Sequence, residues 1–320
     1  MRQLFRQLMV FLLPLALLFA VVEFKLSQFA DMYAVRANAL RKVAPNVEIL
    51  VVGHSHAMRG IDPSGLPLPS FNLGFPGQSA ILDAKITEEV FRCAPRLRLV
   101  IATVGYASLR YRLTDSPSRA RNTLYFRAFH LNEEGEASRL FDPERYSLFL
   151  VYGPWVSRHI LLGTAVPEDP TASQNGWQPS DSTIVGDLGE HAASERAVQV
   201  NMLTQRNVIA ENMLALRQLL AGASKRGIRV VFVATPIYST LRTRLTNARW
   251  KADEARIEAI ATACGATFHD FMADVRFDAA DFENADHLNA RGAKKFTRIL
   301  AAEVVSPTLA KRTRPKVCSA

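Results

Sequence analysis

The sequence predicts an α/β protein in which a parallel sheet, covered on both faces by helices, is carried on an N-terminal membrane helix. Three observations lead there. An uncharged apolar run lies near the N-terminus, short β-branched runs alternate with helical segments, and polar residues gather where those short runs end.

The apolar run comes first in the chain. Arg2 and Arg6 precede a stretch from Gln7 to Val22, uncharged and mostly apolar, which ends at Glu23. Its 16 residues fall between a signal-peptide core and the roughly 20 residues that span a bilayer. No A-x-A-like cleavage site follows, so the reading is an uncleaved anchor over residues 1–25. Arginines before the run and none directly after it place the N-terminus in the cytoplasm and the rest of the chain in the periplasm or outside the cell.

Leu26 to Val43 then reads as a helical stalk closed by Ala44-Pro45-Asn46, giving a stalk region of 26–46. Val47 to Val52 is a β-branched run fit for a strand buried on both faces. The pattern repeats with a strand at Ser70–Gly74, a helix from about Ser79 to Cys93 and a strand within Arg98–Gly105. Downstream, a helix ending near Gly227 leads to a strand at Arg229–Ala234, and a helix around Lys251–Cys264 leads to a last short strand in "ATFHDF". Strands and helices alternating at this length imply a parallel sheet with both faces covered, and functional groups beyond the carboxyl ends of its strands. One domain over 47–305 is expected, with a helical and loop insertion at about 113–195 and a basic tail at 306–320.

Composition narrows the function classes. A chain of 320 residues holds one large or two small domains, and its apolar content excludes a disordered tail or disulfide miniprotein. Cys93, Cys264 and Cys318 lack metal-type or CxxC spacing, and their odd number leaves at least one unpaired. Part of the net charge of +9 sits in Lys311, Arg312, Arg314 and Lys316, a run read as a solvated tail. No aromatic interleaving or nucleic-acid motif accompanies it, so no nucleic-acid partner is expected.

Two distant segments carry the chemistry. "GHSH", Gly53 to His56, stands at the end of the first strand, and "DFENADHLNARGAKKFTRIL" begins at Asp281. In the second, Asn289 suits a helix N-cap, with Phe296, Ile299 and Leu300 as the apolar stripe behind it. His287 is left in the loop ahead of that helix, where a general base can be presented. Ser55 needs such a base to become a nucleophile, and the base needs a third group to fix its tautomer. Backbone N–H groups of Ser55 and of the glycine loop "NLGFPGQS", Asn72 to Ser79, would hold the oxyanion.

These segments resemble the SGNH hydrolase superfamily, also called GDSL-like, over roughly Val47–Leu109 and Ile228–Leu300. The family's nucleophile motif is similar to Gly53-His54-Ser55-His56, its oxyanion glycine falls on Gly77, and its D-x-x-H motif falls on Asn284-Ala285-Asp286-His287. The resemblance implies a flavodoxin-like three-layer sandwich with a parallel sheet and no cofactor. It also implies a Ser55–His287 pair with oxyanion donors at Ser55 and Gly77. An anchor before an extracytoplasmic domain looks like the branch that works beside membrane-bound O-acyltransferases in acylating, notably acetylating, cell-surface polysaccharides or teichoic acids.

The chain departs from the family in two places. "VGYASL" after the third strand has no oxyanion Asn, and Asn284 stands where the triad acid would be. Asn284 can orient His287 but supplies no charge, with Asp281, Glu283 and Asp286 as the other acids nearby. His54, His56 and Tyr106 are expected to line the substrate pocket. The alternative for His54 and His56 is a zinc or iron site with His287 and Asp286; no metal is the favoured expectation. A second function class is a catalytically silent binding or scaffold subunit. Trp177 in "NGWQP" is read as packing on the domain, with a sugar-stacking lid as the other option. Arg59 and Arg110 are surface groups with a possible anionic glycan as partner, and His130, His159, His191 and His269 are ordinary histidines.

Overall fold

The computed structural model describes residues 2–135, 141–165, 174–180, 187–204, 207–245, 248–311, 316 and 318. The chain opens with helix α1 (Arg2–Ser27), which is long and apolar enough to cross a membrane. Helix α2 (Met32–Val43) starts at Asp31, whose carboxylate accepts from Tyr33 N and Ala34 N. Residues 26–46 read as a stalk, yet Tyr33, Ala37 and Leu40 of α2 are buried in the main core. The apolar face of this helix is satisfied by the domain itself.

Strand β1 (Ile49–Gly53) leads through the short helix α3 (Ser55–Gly60) to β2 (Ser70–Gly74), α4 (Ala80–Cys93) and β3 (Leu99–Thr103). Within the expected insertion lie α5 (Arg121–Phe129), α6 (Leu148–Leu161) and the start of α7 (Glu190–Leu203). The sheet resumes after α8 (Ile209–Lys225) with β4 (Arg229–Ala234), and after α9 (Ser239–Leu245) and α10 (Ala248–Ala263) with β5 (Thr267–Asp270). All pairings in this five-stranded sheet are parallel, in the order β2-β1-β3-β4-β5.

The strands bury both faces, as their near-continuous apolar runs require. Leu50, Val52, Val100, Ala102, Val230 and Phe232 point into one apolar cluster with α4 and α8. Ile49, Val51, Leu99, Ile101, Val231 and Val233 point into a second with Phe296 and Leu300. Because β2 and β3 flank β1 on opposite sides, the connections leaving β1 and β3 diverge and open a cleft at the carboxyl ends of the strands.

The segment expected as a polar loop ahead of the last helix is a small antiparallel hairpin, β6 (Phe282–Asn284) with β7 (His287–Leu288). Phe282 and Leu288 face each other and are buried in the second cluster, so two apolar residues draw a polar stretch into strand pairing. Helix α11 (Ala290–Leu300) follows, capped by Asn289 Oδ1 accepting from Gly292 N at 3.0 Å. Beyond it Ser306–Ala310 forms a last turn of helix, α12. Cys264 and Cys318 form a disulfide, and Cys93 is free and exposed. Arg312 and Arg314 of the basic run lie outside the described residues.

Candidate active site

The polar end of β1 is built by glycine. Gly53 has φ +134°, and a Cβ there would lie 2.0 Å from Thr103 Oγ1 on β3. Only glycine lets β1 run this close to β3 and turn at once into α3. Ser55 therefore stands on the first turn of α3, just past the strand, with His54 as N-cap residue. Asn72, fully buried on β2, donates from Nδ2 to Ala57 O and Ile61 O and accepts from Gly74 N, each at 2.8 Å. That clip fixes α3 against β2.

The hairpin brings His287 to Ser55 across 232 residues, with Nε2 2.8 Å from Ser55 Oγ. On the other side of the ring, Nδ1 lies 3.1 Å from Asn284 Oδ1. The same Asn284 oxygen accepts the backbone N–H of Asp286 at 2.9 Å and of His287 at 3.0 Å. Two backbone donors identify this atom as oxygen, so Nδ1 must carry a proton and donate to it. Nε2 then has its lone pair toward Ser55 and accepts the hydroxyl proton. The tautomer is the one nucleophilic activation needs.

Electrostatics set the strength of this base. Burial holds the His287 imidazole down at about 3, with His56, Arg59 and Arg196 adding to the effect and Asp286 opposing it. His287 is neutral at physiological pH, and a weak base.

Asp286 does not reach Nδ1; its carboxylate lies on the far side of the ring, 3.9 Å from Nε2. It accepts from His56 Nε2 at 2.8 Å, from Tyr106 Oη, and from Arg196 Nε at 2.8 Å and Nη2 at 2.7 Å. Burial alone would raise this carboxyl, but the surrounding imidazoles, the hydrogen bond from His56 and the Arg196 guanidinium outweigh it and hold Asp286 well below the usual range; with His287 neutral, the standing positive charge on it is that of Arg196. A negative charge is thus present close to neutral Asn284, shared with a guanidinium. Of the other acids, Glu283 pairs with Arg59 and Asp281 with Lys295.

The loop after β2, expected to hold an oxyanion, borders the same cleft. Gly77 has φ +65°, and a Cβ there would meet Tyr111 Oη at 2.7 Å. Neither Ser55 N–H nor Gly77 N–H donates to an acceptor among the described residues. Behind the loop, Gln78 donates from Nε2 to Leu73 O at 3.1 Å and to Asp83 Oδ1 at 2.6 Å, and its Oε1 accepts from Tyr125. Arg36 of α2, fully buried, donates to Gly74 O at 2.5 Å and to Gln178 Oε1 at 3.1 Å. Helix α2 is thereby tied to the strand end from which the loop departs.

Ser55, His54, His56, Gly77, Tyr106, Asn284 and His287 line one cleft of about 390 Å³. Asp286 lies beneath its floor, 3% exposed. His54 accepts from His56 N at 3.4 Å through Nδ1; its Nε2 is buried with no partner among the described residues. Burial and the neighbouring His56 hold His54 well below its ordinary value, so it too is uncharged.

Of the four residues of the alternative zinc or iron site, His54 is not part of the tight cluster, because α3 begins at Ser55 and sets His56 on its first turn. Ligand atoms of His56, Asp286 and His287 do lie within 4.8 Å of one another. Each is engaged in a hydrogen bond, and Arg196 sits on the carboxylate that would be the anionic ligand.

Arg196 is the site residue that sequence reading missed. It comes from α7 at the far end of the insertion, with no motif around it, and only the packing of that helix brings it to Asp286. Arg110 is drawn off to Asp253, at 2.5 and 2.9 Å. Trp177 packs on the domain, its indole N–H donating to Arg59 O at 3.0 Å, while 166–173 and 181–186 of the same loop lie outside the described residues. No family model matches this chain, and no curated protein matches it either.

Proposed function

We propose that this chain is an SGNH-type (GDSL-like) serine enzyme of flavodoxin-like three-layer architecture, catalysing acyl transfer or ester hydrolysis outside the cytoplasm. The observation that carries the reading is the relay Ser55 Oγ to His287 Nε2 at 2.8 Å and His287 Nδ1 to Asn284 Oδ1 at 3.1 Å. Ser55 attacks the acyl carbonyl as His287 takes its proton. The Ser55 and Gly77 N–H groups receive the oxyanion, and His287 returns the proton to the leaving group.

The setting is O-acylation, specifically O-acetylation, of a cell-surface polysaccharide, with a membrane-bound O-acyltransferase as partner. A weak base suits this. With His287 held at about 3, proton abstraction is costly, and an activated acyl donor with a good leaving group lowers that demand. The apolar α1 supports a single-pass anchor with its N-terminus in the cytoplasm. The Cys264–Cys318 disulfide supports an oxidising compartment for the domain.

One observation favours a second reading. The neutral Asn284 at the acid position suits a silent subunit that binds acyl-glycan without turning it over. Fluorophosphonate labelling and acetyl-ester turnover separate the two. Labelling and turnover in the wild type that vanish in Ser55→Ala support the enzyme, whereas a folded wild type that does neither supports the silent subunit.

A further inference from the structure

Helix α6 carries apolar residues on both its inward and its outward side, with Ser157, Arg158 and His159 as its strongly polar residues. Toward the domain, Leu148 and Ser157 are buried, with Phe149, Val151, Tyr152 and Ile160 half-buried against the core. The outward side exposes Leu150 (47%), Trp155 (70%), Leu161 and, at the C-cap, Leu162 (63%), interrupted by the single charge of Arg158. A helix on a water-facing surface turns charged residues outward, and a continuous exposed apolar patch marks a contact surface.

The place where α6 is fastened says what covers it. Glu23 is the first charged residue after the apolar run of α1, and its carboxylate caps α6, accepting from Ser147 Oγ at 2.6 Å, Leu148 N at 2.8 Å and Phe149 N at 3.1 Å. One turn further on, Tyr152 donates to Asp31 Oδ2 at 3.1 Å and meets the Phe29 ring edge-on at 6.1 Å. Helix α6 is thus bound to the last turn of α1 and to the residues just after it. On α1 itself Leu18, Val21 and Phe24, within five residues of Glu23, are exposed, so α6 is fastened where the exposed apolar surface of α1 ends. With 14 residues and a kink at Gly153-Pro154, α6 is too short to span a bilayer, which takes roughly 20.

We propose that α6 is a second membrane contact, an interfacial helix whose Leu150, Trp155, Leu161 and Leu162 lie in lipid where headgroups meet acyl chains. Arg158 reaches back along its aliphatic stem to the lipid phosphates. The proposal rests on the reading of α1 as membrane-spanning. Two points of attachment then fix the tilt of the domain and the height of the Ser55 cleft above the bilayer.

Tryptophan fluorescence of the full chain in phosphatidylcholine vesicles tests this, because α1 contains no Trp and the others are Trp177 and Trp250 of the domain. Wild type and Trp155→Phe are compared in plain lipid and in lipid brominated at carbons 6 and 7, with flotation on the same samples. Trp155 emission, the difference between the two proteins, is expected to fall by about half or more in brominated lipid, a depth matching an interfacial helix. Emission of Trp155→Phe should not change. Protein that floats with the vesicles but shows no quenching of Trp155 overturns the proposal and leaves the anchor standing. Failure to float overturns both. A Trp155 out of reach of bromine, in a protein of doubled mass in detergent, assigns the face to a second copy and also overturns it.

Discussion

Asn284→Asp tests the relay most directly. The oxygen at this position accepts three N–H groups, from Asp286, His287 and the His287 ring, and a carboxylate accepts all three equally well. The tautomer of His287 is kept, and what changes is one unit of charge 3.1 Å from Nδ1. With about 4 Å between charge centres and an effective dielectric of about 20, attraction to the imidazolium is worth about 4 kcal/mol. Desolvating the new carboxylate and placing it near Asp286 and Glu283 offsets part of this. If half survives, the transition state gains about 2 kcal/mol, roughly 30-fold in rate.

The same charge must raise the pKa of His287, by about 1–3 units for a carboxylate this close. Neutral imidazole is the active form, so kcat/KM falls as pH drops through the His287 pKa. The wild-type acid limb is therefore expected near 3, and that of Asn284→Asp between roughly 4 and 6. The assay is kcat/KM for p-nitrophenyl acetate across this range, with folding checked by circular dichroism at each pH. A folded variant whose rate and acid limb both match wild type would refute the relay, as would a faster variant whose acid limb has not moved. If the wild type is silent, the substitution is expected to switch on fluorophosphonate labelling.

Two further outcomes follow from the same geometry. Gly77→Ala places a Cβ at φ +65° and 2.7 Å from Tyr111 Oη, so the loop must shift; kcat is expected to fall by about 10²-fold or more with the loss of one oxyanion donor, while an unchanged kcat would remove Gly77 from the site. Asp83, bound to Gln78 behind that loop, has its carboxyl raised by burial from 3.8 to about 7. Its stabilising contribution is full below pH 3.8 and is lost as pH rises toward 7. Asp83→Asn should therefore gain on wild type by up to about 4 kcal/mol between pH 4 and pH 8, read by urea denaturation; a difference that does not vary with pH would show that Asp83 does not titrate in the folded protein.

Much of the framework was legible because it rests on local chemistry. A run of β-branched residues made Arg229–Ala234 readable as a strand to the residue, the recurrence of a short apolar piece between helical segments did the same for Ser70–Gly74, and Asn289 announced its helix through capping. The strands are buried on both faces, so their near-continuous apolar runs gave them away without alternation. The approach of His287 to Ser55 was expected from motif order: Ser55 stands at a strand end of the parallel sheet, and His287 just ahead of a helix whose apolar stripe packs on that sheet. The hairpin at Phe282–Leu288 was not legible, because its pairing depends on where two apolar residues find a core, and nothing in the local pattern says so.

The sequence by itself determined an α/β chain with an apolar helix at its start, the strand end that presents Ser55, and a neutral asparagine at position 284. Tertiary structure decided what that asparagine does. Three converging N–H groups turn its oxygen toward His287 and select the tautomer, a choice made by hairpin geometry. It also decided where the negative charge resides. Asp286 is sequence neighbour to His287, yet its carboxylate is turned to His56, Tyr106 and Arg196, the last arriving from α7, 90 residues away along the chain. Charge acts through space, so its partners are fixed by packing and not by spacing in the sequence.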